Sequence, residues 1–243
     1  MNSYQEQSEI IKNSVGLHSE PVGVKFYKTV PNNGLKEVDD QRFCQLIMRA
    51  RKGEELILTK EGITCPAAAA ALGFKQLPKN LQDGSMLQGY GIFRDAESAI
   101  NVMNKMPRLE QGKYVAVVAK PLSKCEEEPD VVVIEDEVEK LMWISLAYLN
   151  EEGGRLEFST SILQAMCVDS TVIPFKSGKI NMSFGCYGCR DATDAQPGEA
   201  LLGLPWDKLE MTVENLSYLK SKAIDRSRAK QVFQSFIKRT MSN

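Results

Sequence analysis

Two hydrophobic periods, one helical and one alternating, mark the elements in the first part of the chain. Ile10, Ile11 and Val15 recur at helical spacing behind Ser3 and Glu6, a capping-box pair, and stop at Gly16, which predicts a short opening helix. PVGVKFY alternates, with Val22, Val24 and Phe26 on one face, and predicts a strand. Asp39 or Asp40 is the expected cap of a second helix, in which Phe43, Ile47 and Ala50 share a face and which ends near Gly53. LILT reads as a short strand. In ITCPAAAAALGF, Pro66 suits a first helical position and Gly73 a stop, so Cys65 is the expected N-cap.

Further on, Asp95 opens the helical pattern Ile100, Met103, Met106, which Pro107 ends. YVAVVA and DVVVIE are apolar on both faces and read as neighbouring, buried central strands, joined by a polar loop around Cys125. Asp136 with Glu139 repeats the capping-box pattern ahead of LMWISLAYL, Gly153 and Gly154 close that helix, and RLEFST reads as a strand. SILQAMCV suggests a short helix, INMSFG a strand ending in the turn CYGCR, and ALLGLP a last strand. From Asp207 the pattern is helical with a break near Asp225, and KSKAIDRSRAKQVFQSFIKR forms a basic amphipathic helix. This order, without repeat or linker, predicts an α/β or α+β fold. The expectation is one mixed-sheet domain over residues 1–243, flanked by helices, with a helical C-terminal appendage from about 207 to 243.

Composition narrows the function. The 243 residues are 43% hydrophobic and 26% charged, which suits a globular chain. Thirty Lys and Arg against 32 Asp and Glu leave no basic excess, so nucleic acid is not an expected partner. No apolar stretch is long enough for a membrane span, and the first residues lack a signal-peptide pattern, so a cytoplasmic location is expected. A single histidine, His18, removes every multi-histidine metal site and leaves one imidazole for catalysis. No complete GxGxxG and no P-loop occurs, so nucleotide binding is unsupported.

The six cysteines are the remaining chemistry. Cys186 and Cys189 form a CxxC pair, whose thiols can chelate a soft metal, ligate a cluster or form a redox disulfide. Its late position, before the polar stretch from Asp191 to Gly198, ranks ligation above dithiol exchange. Cys65 at a helix start is the thiol expected to be most acidic. Cys125, beside Glu126, Glu127 and Glu128, reads as an ordinary surface cysteine.

At these cysteines the chain resembles a family. FCQLIMRARKGEELILTKEGITCPAAAAALGF, MPRLEQGKYVAVVAKPL, PDVVVI, EEGGRLEFSTSILQAMCVDS and NMSFGCYGCR are similar to the prokaryotic proteins grouped as domain of unknown function 169, from about Pro21 to Leu216. The resemblance implies recurring cysteines at Cys44, Cys65, Cys167 and Cys186 and recurring arginines at Arg51 and Arg190, with Cys189 a departure from the pattern. Four scattered cysteines with almost no histidine suit all-thiolate coordination, which selects an iron–sulfur cluster, zinc or Cu(I). The first expectation is an iron–sulfur cluster, [4Fe–4S] included, with a redox or electron-transfer role and a redox partner protein; zinc or no metal is the alternative. Arg51 and Arg190 would offset the cluster's charge. A second reading is a thiol enzyme or a binding protein for a small anion, with Cys65 as nucleophile and Arg51 and Arg190 as the anion clamp. A third leaves every thiol an inert core residue. The four cysteines are expected to meet in one pocket, with Cys189 at its edge and Cys125 elsewhere.

Overall fold

The computed structural model of the chain describes residues 3–32 and 34–226. Seven strands, β1 (Val22–Tyr27), β2 (Lys36–Val38), β3 (Leu56–Thr59), β4 (Ala116–Pro121), β5 (Val131–Glu137), β6 (Asn181–Ser183) and β7 (Glu199–Pro205), form one sheet in the order β2-β3-β4-β1-β5-β7-β6. β2 and β3 pair in parallel, and the other neighbours pair antiparallel. The helices are α1 (Tyr4–Val15), α2 (Phe43–Ala50), α3 (Pro66–Ala71), α4 (Lys79–Gln82), α5 (Ser85–Gly89), α6 (Ala96–Lys105), α7 (Val138–Leu149), α8 (Ile173–Ser177), α9 (Tyr187–Ala192) and α10 (Leu209–Leu219). A π-helix over Ala165–Val172 runs directly into α8. The fold is α+β with a mixed sheet.

Alternation along the central strands distributes the core. Val131 and Val133 of β5 join Val22, Val24, Phe26, Leu58 and Val117 on one face, beneath α2, α3 and the π-helix. Val132 and Ile134 turn to the other face, where Ile11 of α1, Leu141 and Ile144 of α7 and Leu209, Val213 and Leu216 of α10 cover them. β5 is buried on both faces from Val131 to Asp136, which explains its unbroken apolar run. The described part of the expected C-terminal appendage therefore belongs to a packed helical layer. Residues 227–243, on which most of the expected basic amphipathic helix falls, lie outside the described residues.

Several expectations are corrected. β4 and β5 are buried strands but not neighbours, because β1 lies between them and pairs antiparallel with both. Apolar runs dictate burial and leave lateral order open. α2 is capped by Arg42 rather than Asp39 or Asp40, with the Gln45 side chain accepting from the Arg42 amide at 2.9 Å. α7 starts from Glu137, since Asp136 is fully buried and bound to His18 and Lys140. RLEFST forms no ladder: Ser159 exchanges both backbone bonds with the Asn181 side chain, and Thr160 bonds Asp169. CYGCR is the start of α9 rather than a turn. Among the described residues no helix is long and apolar enough to cross a membrane.

A candidate thiol site

Four elements on one face of the sheet carry five cysteines. Cys44 is the second residue of α2, Cys65 caps α3 with Pro66 in the first turn, Cys167 lies in the π-helix, Cys186 caps α9 and Cys189 is its third residue. α2 packs against α9 and the π-helix, and α3 against the π-helix. The entry to α2 is locked onto α9, with Arg42 donating to the Gly188 carbonyl at 3.3 Å and Gln45 to that of Ala192 at 3.2 Å. Cys44, Cys167, Cys186 and Cys189 are buried in one core, and the half-buried Cys65 packs against it.

The sulfurs form a chain of contacts. Cys186 Sγ donates to Cys189 Sγ across 3.1 Å, and Cys189 bonds in turn with Cys44. The Cys189 amide points back at Cys186 Sγ at 3.3 Å, while the amides of Ala165 and Met166 at the start of the π-helix serve Cys186 and Cys189. Cys167 donates to the Gln164 carbonyl at 3.6 Å and interacts electrostatically with Cys65, Cys189 and Cys186. Cys189 thus stands between Cys44 and Cys186 instead of at the edge. The thiols are not drawn to a common point: among the described residues, the one group of His, Cys, Asp and Glu ligand atoms all within 4.8 Å is His18, Asp136 and Glu137.

Burial and neighbouring thiols keep Cys167, Cys186 and Cys189 protonated. Burial pushes Cys167 well up, helped by the other sulfurs. Its bond to Cys189, then burial, raises Cys186. The bond from Cys186 lowers Cys189, but its bond to Cys44 and its burial prevail and push it up to about 12.

The loop before the π-helix aims its amides. Ile162 and Gln164 both adopt left-handed conformations, at φ 58° and 56°, which a non-glycine residue holds only where its surroundings enforce it. Buried Asp169 supplies that enforcement. Its carboxylate accepts from Thr160 at 2.6 Å and Ser183 at 2.8 Å, and its carbonyl accepts from Asn181 at 2.7 Å. Burial raises Asp169 to about 6 although both hydroxyls pull it down. A π-helix is uncommon and concentrates at functional sites. Nothing in the residue types of SILQAMCV signals it, so sequence reasoning missed both the π-helix and the amides it directs.

The two arginines are committed elsewhere. Arg190 donates to the carbonyls of Phe184 at 2.8 Å, Gln196 at 2.6 Å and Glu199 at 2.6 Å, closing the segment around α9. Arg51 is buried among Glu135 at 3.4 Å, Glu199 at 3.5 Å and Asp194 at 3.8 Å. His18 lies outside this region, bonded to Asp136 at 3.0 Å, and the Lys140 ammonium already sits against His18, Asp136 and Glu137. Cys125 is half-buried rather than a surface residue; it packs toward the opposite helical layer, and burial, before its acidic neighbours, pushes it up to about 12.

Fold and site together describe an α+β protein with a cysteine-lined core beneath four short elements. The family of domain of unknown function 169, described as an uncharacterised ArCR family, matches residues 10–215, and the chain belongs to it. An uncharacterised protein of Methanocaldococcus jannaschii is 28% identical over 226 residues, covering 90% of this chain and 96% of its own length. No solved structure matches the chain significantly.

Proposed function

We propose that the chain holds a metal centre through cysteine alone, an iron–sulfur cluster bound by Cys44, Cys65, Cys167 and Cys186, and uses it in a redox or electron-transfer role with a partner protein. The observation that supports this reading is the grouping of thiols from four elements in one core, with backbone amides directed at Cys186 and its neighbour Cys189. Amide donors of this kind offset negative charge on sulfur and tune a cluster's potential. The donor set is soft and lacks histidine, which suits iron–sulfur chemistry or zinc over hard cations. One zinc ion with bonds of about 2.3 Å would need sulfurs roughly 4 Å apart. No three sulfurs are that close, so a cluster, in which each cysteine binds a different iron, asks less rearrangement of the chain. When bound, it would supply a one-electron donor and acceptor. The chain's own contribution is to give up the thiol protons, to exclude water through the surrounding core and to hold the Cys186 sulfur by the Ala165 amide.

The reading as an anion-binding protein or thiol enzyme gains less. It needs Arg51 and Arg190 free to clamp an anion beside Cys65, whereas Arg51 faces three carboxylates and Arg190 three carbonyls. Serine substitution at each of Cys44, Cys65, Cys167 and Cys186, followed by iron analysis of anaerobically purified protein, tests the ligand set. Each variant is expected to lose most of its iron, and full retention by any one removes that residue from the set.

A further inference from the structure

The proposed site requires four sulfurs, and five lie in or against this core. The fifth, Cys189, touches Cys186 at 3.1 Å. Their setting favours a bond between them. β6 ends at Ser183, Cys186 is the N-cap of α9, and Cys189 lies one helical turn on, so the cap side chain leans over the first turn toward it. The 3.3 Å bond from the Cys189 amide to Cys186 Sγ already holds that side chain over the turn. This is the strand, CxxC, helix order that dithiol chemistry uses. Cys186 and Cys189 are themselves buried, while Phe184 and Tyr187, their neighbours in the chain, are exposed.

We propose that Cys186 and Cys189 close into a reversible disulfide that competes with loading of the thiol site. The proposal rests on the reading of Cys186 as a ligand. A low-molecular-weight disulfide such as oxidised glutathione is the oxidant. One cysteine attacks it, forming a mixed disulfide and releasing one small thiol; the other cysteine then displaces the second small thiol. Two S–H bonds are lost and one S–S bond forms in the protein, while the oxidant's S–S bond breaks and takes up both electrons and both protons. A bonded Cys186 has no thiolate to give a metal, so oxidation withdraws one of the four ligands and reduction returns it.

The test uses the full chain, metal-free and reduced, treated with oxidised glutathione and then offered ferrous iron and sulfide without oxygen, with or without prior dithiothreitol. Trypsin releases Ile180–Arg190 as one peptide containing both cysteines. The expected results are the loss of two thiols, that peptide lighter by two hydrogens, and iron uptake reduced at least about tenfold until dithiothreitol restores it. Cys189→Ser, with Cys189→Ala as a second form, is expected to load equally before and after oxidant. A bridge mapped from Cys189 to Cys44, undiminished uptake after the Cys186–Cys189 bridge forms, or a Cys189 variant as oxidant-sensitive as the natural chain would overturn the proposal. Failure of the reduced natural chain to take up iron would bring down the ligand assignment and the competition with it, whereas normal uptake there confines any failure to the switch.

Discussion

A side-chain carbon on Gly203 of β7 would land on the carbonyl oxygen of Ser170 and the ring of Pro174. Gly203 has ordinary strand dihedrals, so space and not conformation demands glycine here. β7 runs against the π-helix with no room for even a methyl group, and that contact seats the element bearing Cys167. Gly203→Ala is expected to cost roughly 1–3 kcal/mol by forcing backbone apart. Urea denaturation reads the loss, and an unchanged midpoint would show that β7 and the π-helix are not in contact.

Arg190 ties Phe184, Gln196 and Glu199 together through one planar fork, which closes the segment holding Cys186 and Cys189. Lysine keeps the charge and loses the fork. Arg190→Lys is expected to destabilise the protein by about 1–3 kcal/mol in thermal or chemical denaturation, since charge-assisted bonds to carbonyls are lost. Equal stability of the two proteins would mean that the three carbonyls find other donors.

Glu135 gives the fold a pH signature. Burial pushes it up from 4.5 to about 7, against the pull of Arg51. The folded state then holds this proton more tightly than the unfolded chain, so the contribution is complete below about pH 4.5 and is lost as pH rises to about 7. The stability of the natural chain minus that of Glu135→Gln is expected to fall across this window. A difference that rises with pH there would show that Arg51 outweighs burial.

Loading the thiol site must expel protons. Cys167 and Cys186 lie above the usual thiol range, so they are protonated at neutral pH and bind metal only as thiolates. Adding Zn²⁺ as a probe to unbuffered, reduced, metal-free protein is expected to release protons, with affinity rising about tenfold per pH unit for each proton displaced. Binding without proton release would place the metal on groups other than these thiols.

Much of the fold was legible in local pattern. The alternation of Val22, Val24 and Phe26, the Ser3 and Glu6 pair, and Pro66 after Cys65 each report an element through its own residues. What escaped was set by distant partners. RLEFST has strand-like residue types, but Asn181 and Asp169 take up the bonds a ladder would have used. Arg51 reads as a charge beside a cluster or half of an anion clamp, and only the fold shows Glu135 and Glu199 beside it. Likewise the scattered cysteines carry no spacing that shows their grouping; the packing of α2, α3 and α9 around the π-helix supplies it. Cys186 and Cys189 read as a turn because a six-residue helix with an exposed face leaves little periodicity.

What the thiols hold can be read from the purified protein. The most direct measurement is iron, acid-labile sulfide and zinc per chain, with the visible spectrum, on full-length protein purified without oxygen. The protein is expected to be brown and to contain iron and sulfide in comparable amounts, losing its colour in the Cys167→Ser variant. A colourless protein free of iron and sulfide, and unable to acquire them on anaerobic reconstitution, would contradict it.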